Sequence, residues 1–230
     1  MELSRKVSNW KNRTSDKIFA NPKVIKFSIS LSIIYLPFSL IVGYIIAQFS
    51  PGRYNLLDNY ISDLGSSEYT TLPVIMDFGF IVSSILMIPS VLFLGKCFVQ
   101  VPISNMKHKL PKARIILSRL GTILMFLGII GLFMIGIFSV DRSTSFGLHY
   151  IFARLAFSGF ILSSVILGLL VIFYETGVPK LVGFYMLLVP IITGVNFIVD
   201  DSPINEWIML FSIMLWIIPV YLILLKKLKE

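Results

Sequence analysis

The sequence predicts an all-α membrane protein of six transmembrane helices, and three observations carry that reading. Of the 230 residues 56% are hydrophobic and only 14% charged, and the mean hydropathy is +0.87, far outside the range of soluble globular domains. The charges are bunched, and six charge-free runs between them approach the ~20 apolar residues a helix needs to cross a hydrocarbon core of about 30 Å. None of these runs alternates with the period of two that marks a membrane barrel strand. A segment in lipid must satisfy its own backbone hydrogen bonds, which leaves helices.

Residues 1–26 form a basic segment without the short apolar core of a cleavable signal peptide. Trp10 and Phe19 among its lysines suit a short helix on the membrane surface or an unstructured tail equally well. The six spans follow as Phe27 to Gly52, Phe78 to Gly95, Leu120 to Val140, Leu155 to Tyr174, Leu181 to Val199 and Trp207 to Leu225. One membrane domain, 27–225, thus fills the chain, and a basic tail, 226–230, closes it. Pro37, Pro89 and Pro190 fall inside spans. Gly159 with Ser163, and Ser164 with Gly168, have the spacing of close helix contact in the fourth.

Charge asymmetry gives the orientation. Seventeen of the twenty lysines and arginines fall in the N-terminal segment, the second and fourth loops and the tail; only Arg53, Arg142 and Arg154 remain for the other face. Short basic loops stay on the cytoplasmic side, so both termini are expected in the cytoplasm of a cell-membrane protein. Eight of the twelve acids fall on the opposite face: Asp58, Asp63, Glu68, Asp77, Asp141, Asp200, Asp201 and Glu206. Attraction to anionic headgroups accounts for the basic face, and no nucleic acid is called for. Asn12-Arg13-Thr14 has the spacing of a glycosylation acceptor but lies on the expected inner side. The single cysteine, Cys97, excludes an internal disulfide and a CxxC site and reads as packing.

The outer loop from Ser50 to Leu72 is the only connection on that face long enough to hold structure of its own. Its core, "DNYISDLGSS" at 58–67, alternates apolar and polar residues as a half-buried segment does, and Asp63 with Gly65 can form a turn that turns a carboxylate inward. A second polar cluster, "SVDRSTSFGLHY" at 139–150, joins spans three and four.

These two stretches carry a resemblance. "NYISDLGSS" at 59–67, the proline-opened span at Pro73 and "GIFSVDRSTSFGLHYIFARLAF" at 136–157 resemble the multipass family catalogued as domain of unknown function 998, over roughly residues 27–225. More remotely the chain is similar to the FRAG/DRAM/Sfk six-span group, with its "ISD-G" type first outer loop and a histidine opening span four. That second resemblance implies lipid remodelling; the first implies a fold and no established chemistry.

From the residues themselves, Asp63, Asp141 and His149 form the candidate catalytic set, a carboxylate and imidazole able to act as general acid and base at a lipid headgroup. Asn59, Ser62, Asp77, Arg154 and Asp200 are the candidate ligand-binding residues around them. Arg154 needs a partner or a route to the interface, and Asp77, Asp63 and Asp141 are its candidate partners. His149 and Arg154 stand about 140° apart around one helix and so cannot both face one ligand. No cofactor is required. One histidine among carboxylates suits zinc poorly, whereas a divalent hard cation is open to Asp63, Asp141 and Asp200. The other histidine, His108, belongs to the basic loop. No GxSxG or HExxH signature is present, and Ser62 is the nearest thing to a nucleophile. The expected function is binding or modification of a lipid or lipid-linked headgroup, with membrane lipids as partners. A structural or signalling protein is the second reading, and a small-solute transporter using Thr193 and Asn196 the third. Glu206, next to the Ser202-Pro203 helix start, reads as a complement to the helix dipole.

Overall fold

The computed structural model describes residues 21–99 and 111–228; the expectations for Trp10, Phe19, Asn12 and His108 lie outside them. Six helices long and apolar enough to cross a membrane follow one another: α1 Pro22–Gln48, α2 Val74–Val99, α3 Lys112–Ile137, α4 Leu148–Phe173, α5 Lys180–Val199 and α6 Pro203–Lys227. Most run past the charge-free windows, because lysines, arginines and acids occupy the terminal turns. Lys112, Arg114 and Arg119 sit in the first turns of α3, and Asp77 in the first turn of α2. Pro37, Pro89 and Pro190 lie inside uninterrupted helices. The described residues contain no strand, only two further 3-10 turns, Ile61–Gly65 and Val140–Arg142.

Each helix packs on its neighbours in sequence, and α6 returns against α1 and, more lightly, α4. The tightest seam is α3 against α4, and the reason is side-chain size. A Cβ on Gly159 would lie 2.7 Å from the Gly128 Cα, and one on Gly131 2.7 Å from the Ala156 Cα. Only glycine lets these backbones touch, which is how apolar helices gain contact where lipid offers no hydrophobic drive. Ser163 seals the seam by donating to the Gly121 carbonyl at 2.8 Å. Gly168 meets the Gly183 carbonyl on α5, so both small-residue pairs read from the sequence mark helix contacts. Between α5 and α6 the hydroxyls of Thr193 and Ser212 are 2.8 Å apart, whereas Asn196 is exposed.

The two ends of the bundle differ in chemistry. At one, cations satisfy carbonyls that helix C-termini and the α4–α5 connection leave free. Arg114 donates to Phe98 at 2.8 Å and to Glu175 at 3.1 Å. Lys180 donates to Val171, Ile172 and Tyr174, and Lys227 to Thr176. At the other end the acidic connections meet, and the segment 49–73 folds down on the helix ends.

Candidate functional site

The 49–73 segment first folds on itself. Gly52 lies against the Glu68 carbonyl, where a Cβ has no room. Tyr54 is buried and its hydroxyl donates to the carbonyls of Tyr60, at 2.8 Å, and Asn59, at 3.3 Å. Gln48, at the end of α1, donates to the Tyr54 carbonyl at 2.9 Å. The Asn59 side chain is buried and accepts the Asn55 amide at 2.9 Å, so it shapes the loop from within.

The Ile61–Gly65 turn then seats on the bundle. Asp63 reaches back to accept the Tyr60 amide at 2.8 Å. Burial pushes its carboxyl above the usual range, against the opposing pull of the Tyr60 amide and the Asn59 side chain. Two latches hold the segment down. On one side Asp141, on the α3–α4 connection, accepts the Ser66 hydroxyl and the Ser67 amide, each at 2.7 Å. Partial burial raises the Asp141 carboxyl, but these bonds and the charge of Arg142 outweigh it and leave it below the usual range. On the other side the Tyr60 hydroxyl donates to the Asp201 carbonyl at 3.0 Å, and the Ile61 amide to Glu206 Oε2 at 2.6 Å.

The partner expected for Arg154 goes to a different arginine. Asp77, its side chain 6% exposed, pairs with Arg142 at 2.7 Å, and Arg142 also donates to the carbonyls of Ile137 and Gly136 at 2.9 Å. Arg142 wins because it stands on the connection directly over the end of α3, whereas Arg154 lies on the exposed face of α4, away from the bundle axis. From there its long stem can carry the charge to the interface. Asp200 is also exposed, accepting the side chains of Asn205 at 2.9 Å and Ser202 at 3.2 Å. Asp63, Asp141 and Asp200 thus each take separate partners. Among the described residues no three His, Cys, Asp or Glu side chains are placed to hold a metal ion.

What the structure does bring together is a cavity under the seated turn. Its wall is apolar over almost its whole length: Leu36 from α1, Phe80 and Met87 from α2, Leu132 and Ile135 from α3, Ala153, Phe157 and Phe160 from α4, and Leu210, Ile213 and Met214 from α6. Only Ser62, His149 and Glu206 are polar, and the sequence places all three at the acidic end. About 70 Å³ is open to the centres of water-sized spheres, several times the ~10–15 Å³ one water requires.

The polar head of this cavity has a definite set of free atoms. His149, 3% exposed, points Nδ1 at the Phe138 carbonyl at 2.9 Å. A carbonyl only accepts, so Nδ1 carries the proton and the neutral ring keeps a lone pair on Nε2. Glu206, 7% exposed, uses Oε2 for the Ile61 amide; its Oε1 has no protein partner among the described residues. The Ser62 hydroxyl makes no hydrogen bond to them either. Of the residues singled out in the sequence, then, Ser62 and His149 reach the cavity, and Asp63 stands on the same turn as Ser62 without lining it. Glu206 is the member that sequence reasoning assigned only to the helix dipole. Its signal was there to read, as a carboxylate directly before the apolar run of the last span.

No curated protein and no solved structure matches the chain. Residues 36–222 match the family described as protein of unknown function (DUF998), and with four-fifths of its length inside that match this multipass membrane protein belongs to the family.

Proposed function

We propose that the protein binds a membrane amphiphile, a lipid or lipid-linked molecule whose head sits at Ser62, His149 and Glu206 and whose apolar chain enters the bundle. The cavity carries this reading. A water needs two to four polar partners, which the apolar length of the cavity lacks, while three polar groups at one end would be left unmet by a purely apolar guest. The remoter resemblance to a lipid-remodelling group points the same way. In this reading residues 27–225 are the ligand-bearing membrane domain, flanked by the basic segments 1–26 and 226–230. The basic end faces the cytoplasm of the cell membrane, and the site opens toward the outer leaflet.

Native mass spectrometry of the full chain, gently purified in non-ionic detergent, tests it beside Ala153→Leu, which narrows the cavity. The expected result is a defined lipid mass kept by the native chain and lost by the variant. Identical spectra would overturn it. Modification of the bound head is a second reading, favoured by the presence at one end of the cavity of an imidazole with a free Nε2, His149, and a hydroxyl, Ser62, the base and nucleophile types that acyl transfer uses. It predicts that Ser62→Ala retains the lipid and stops its turnover.

A further inference from the structure

The free atoms at the head of the cavity define what can fill it. Glu206 Oε1 is an acceptor when ionised, His149 Nε2 is an acceptor in the tautomer fixed by Phe138, and the Ser62 hydroxyl offers lone pairs. Among the described lining residues no side-chain hydrogen-bond donor other than that hydroxyl is uncommitted. The charge is one-sided as well. Glu206 has Asp63 and Asp201 as acidic neighbours, and among the described residues no lysine or arginine forms an ion pair with it. Of the arginines at this end, Arg142 is taken by Asp77, Arg53 is exposed on the 49–73 segment and Arg154 lies on the outside of α4. A carboxylate more than nine-tenths buried, free at one oxygen and lining an apolar cavity, calls for a donor that brings positive charge.

We propose that the head of the bound amphiphile is a primary ammonium, held by Glu206 Oε1, His149 Nε2 and the Ser62 hydroxyl, with its alkyl chain in the cavity. The inference rests on the amphiphile reading and adds the chemical class of the head. An ammonium has three N–H donors, one for each acceptor, and a compact charge that neutralises Glu206. A hydroxyl head supplies one donor and no charge. A carboxylate or phosphate head alone would add negative charge beside Glu206 and Asp63. The ammonium has two possible sources, a long-chain amine and the amino end of a phospholipid head.

The test is native mass spectrometry of the full chain in non-ionic detergent at neutral pH. The probes are tetradecylamine, tetradecanol and tetradecanoate at equal concentration, with lysophosphatidylethanolamine as a fourth. The native chain is expected to keep tetradecylamine about tenfold or more over tetradecanol, the scale of exchanging a neutral hydrogen bond for charge-assisted ones, and to exclude tetradecanoate. Glu206→Gln should reduce the amine to the level of the alcohol. Ser62→Ala, on the surface of the seated turn, should narrow the preference with the fold intact, and it serves should Glu206→Gln not fold. Retention of the lysophospholipid as well would assign the ammonium to a phospholipid head; retention of the amine alone would assign it to a head without phosphate. Equal retention of amine and alcohol, both shed by Ala153→Leu, would overturn the ammonium and leave the amphiphile reading standing. An amine preference unchanged in Glu206→Gln or Ser62→Ala would overturn it as well. Retention of no probe, or retention indifferent to Ala153→Leu, would overturn both.

Discussion

Removing Arg142 separates the clamp seen in the structure from the one the sequence suggested. Its guanidinium reaches the buried Asp77 carboxylate at 2.7 Å and two carbonyls at the end of α3 at 2.9 Å. Deleting one partner of a fully buried pair costs about 3–5 kcal/mol. The Arg142 side chain is 52% exposed, so water partly replaces it, and screening lowers that contribution to about 2 kcal/mol. The two carbonyl bonds add about 0.5 kcal/mol each. Arg142→Ala is therefore expected to destabilise by about 2–3 kcal/mol. Asp77→Asn keeps an acceptor for the guanidinium and should cost about 1 kcal/mol. In the double variant no charge is left stranded, so its loss should fall short of the sum by at least ~1 kcal/mol. Arg154→Ala, on the exposed face of α4, should leave stability unchanged. Denaturant unfolding in one detergent, monitored by circular dichroism, measures all four. Coupling below about 0.5 kcal/mol, within the usual error of additivity, or an Arg154→Ala loss as large as that of Arg142→Ala, would refute the reasoning.

The Asp141 latch should depend on pH in one direction. Its folded pKa lies below the unfolded value, so its stabilisation is present above about pH 4 and is lost as pH falls through the lower folded value. Asp141→Asn should speed hydrogen exchange at the Ser67 amide at neutral pH, with native and variant converging only in strong acid; equal rates at neutral pH would show that the latch does not hold the loop. At the α3–α4 seam, Gly159→Val places a Cβ 2.7 Å from the Gly128 Cα, about 1 Å inside normal carbon contact. The helices must part, at about 1–3 kcal/mol, whereas Ser158→Val, at an exposed position one residue earlier, should be neutral in thermal unfolding.

The six helices were legible because lipid writes its thickness into the sequence as charge-free runs, and Gly159 and Gly168 were legible because close approach demands small residues at helical spacing. The site was legible only in part. Ser62, Asp63 and His149 stood out as polar residues in greasy surroundings. Which arginine meets Asp77 depends on how the α3–α4 connection bends over the end of α3, and no periodicity encodes that bend. Glu206 escaped for a related reason. At the start of a helix a carboxylate has a sufficient local explanation, and only the arrival of Ile61, 145 residues away, turns it from a dipole complement into the wall of a cavity.

That long separation has a consequence for biogenesis. The amide of Ile61 is made early, with the first outer connection, while its acceptor is carried by the last helix. Met214 and its neighbours, which close the cavity, belong to that helix too. Until α6 has inserted, the first connection lacks its Glu206 fastening and the nascent bundle has an open flank, so a chain halted after α5 has no finished cavity. The cavity is therefore completed in a single late step of membrane insertion, when the final helix both supplies the missing wall and fastens the cover made at the beginning.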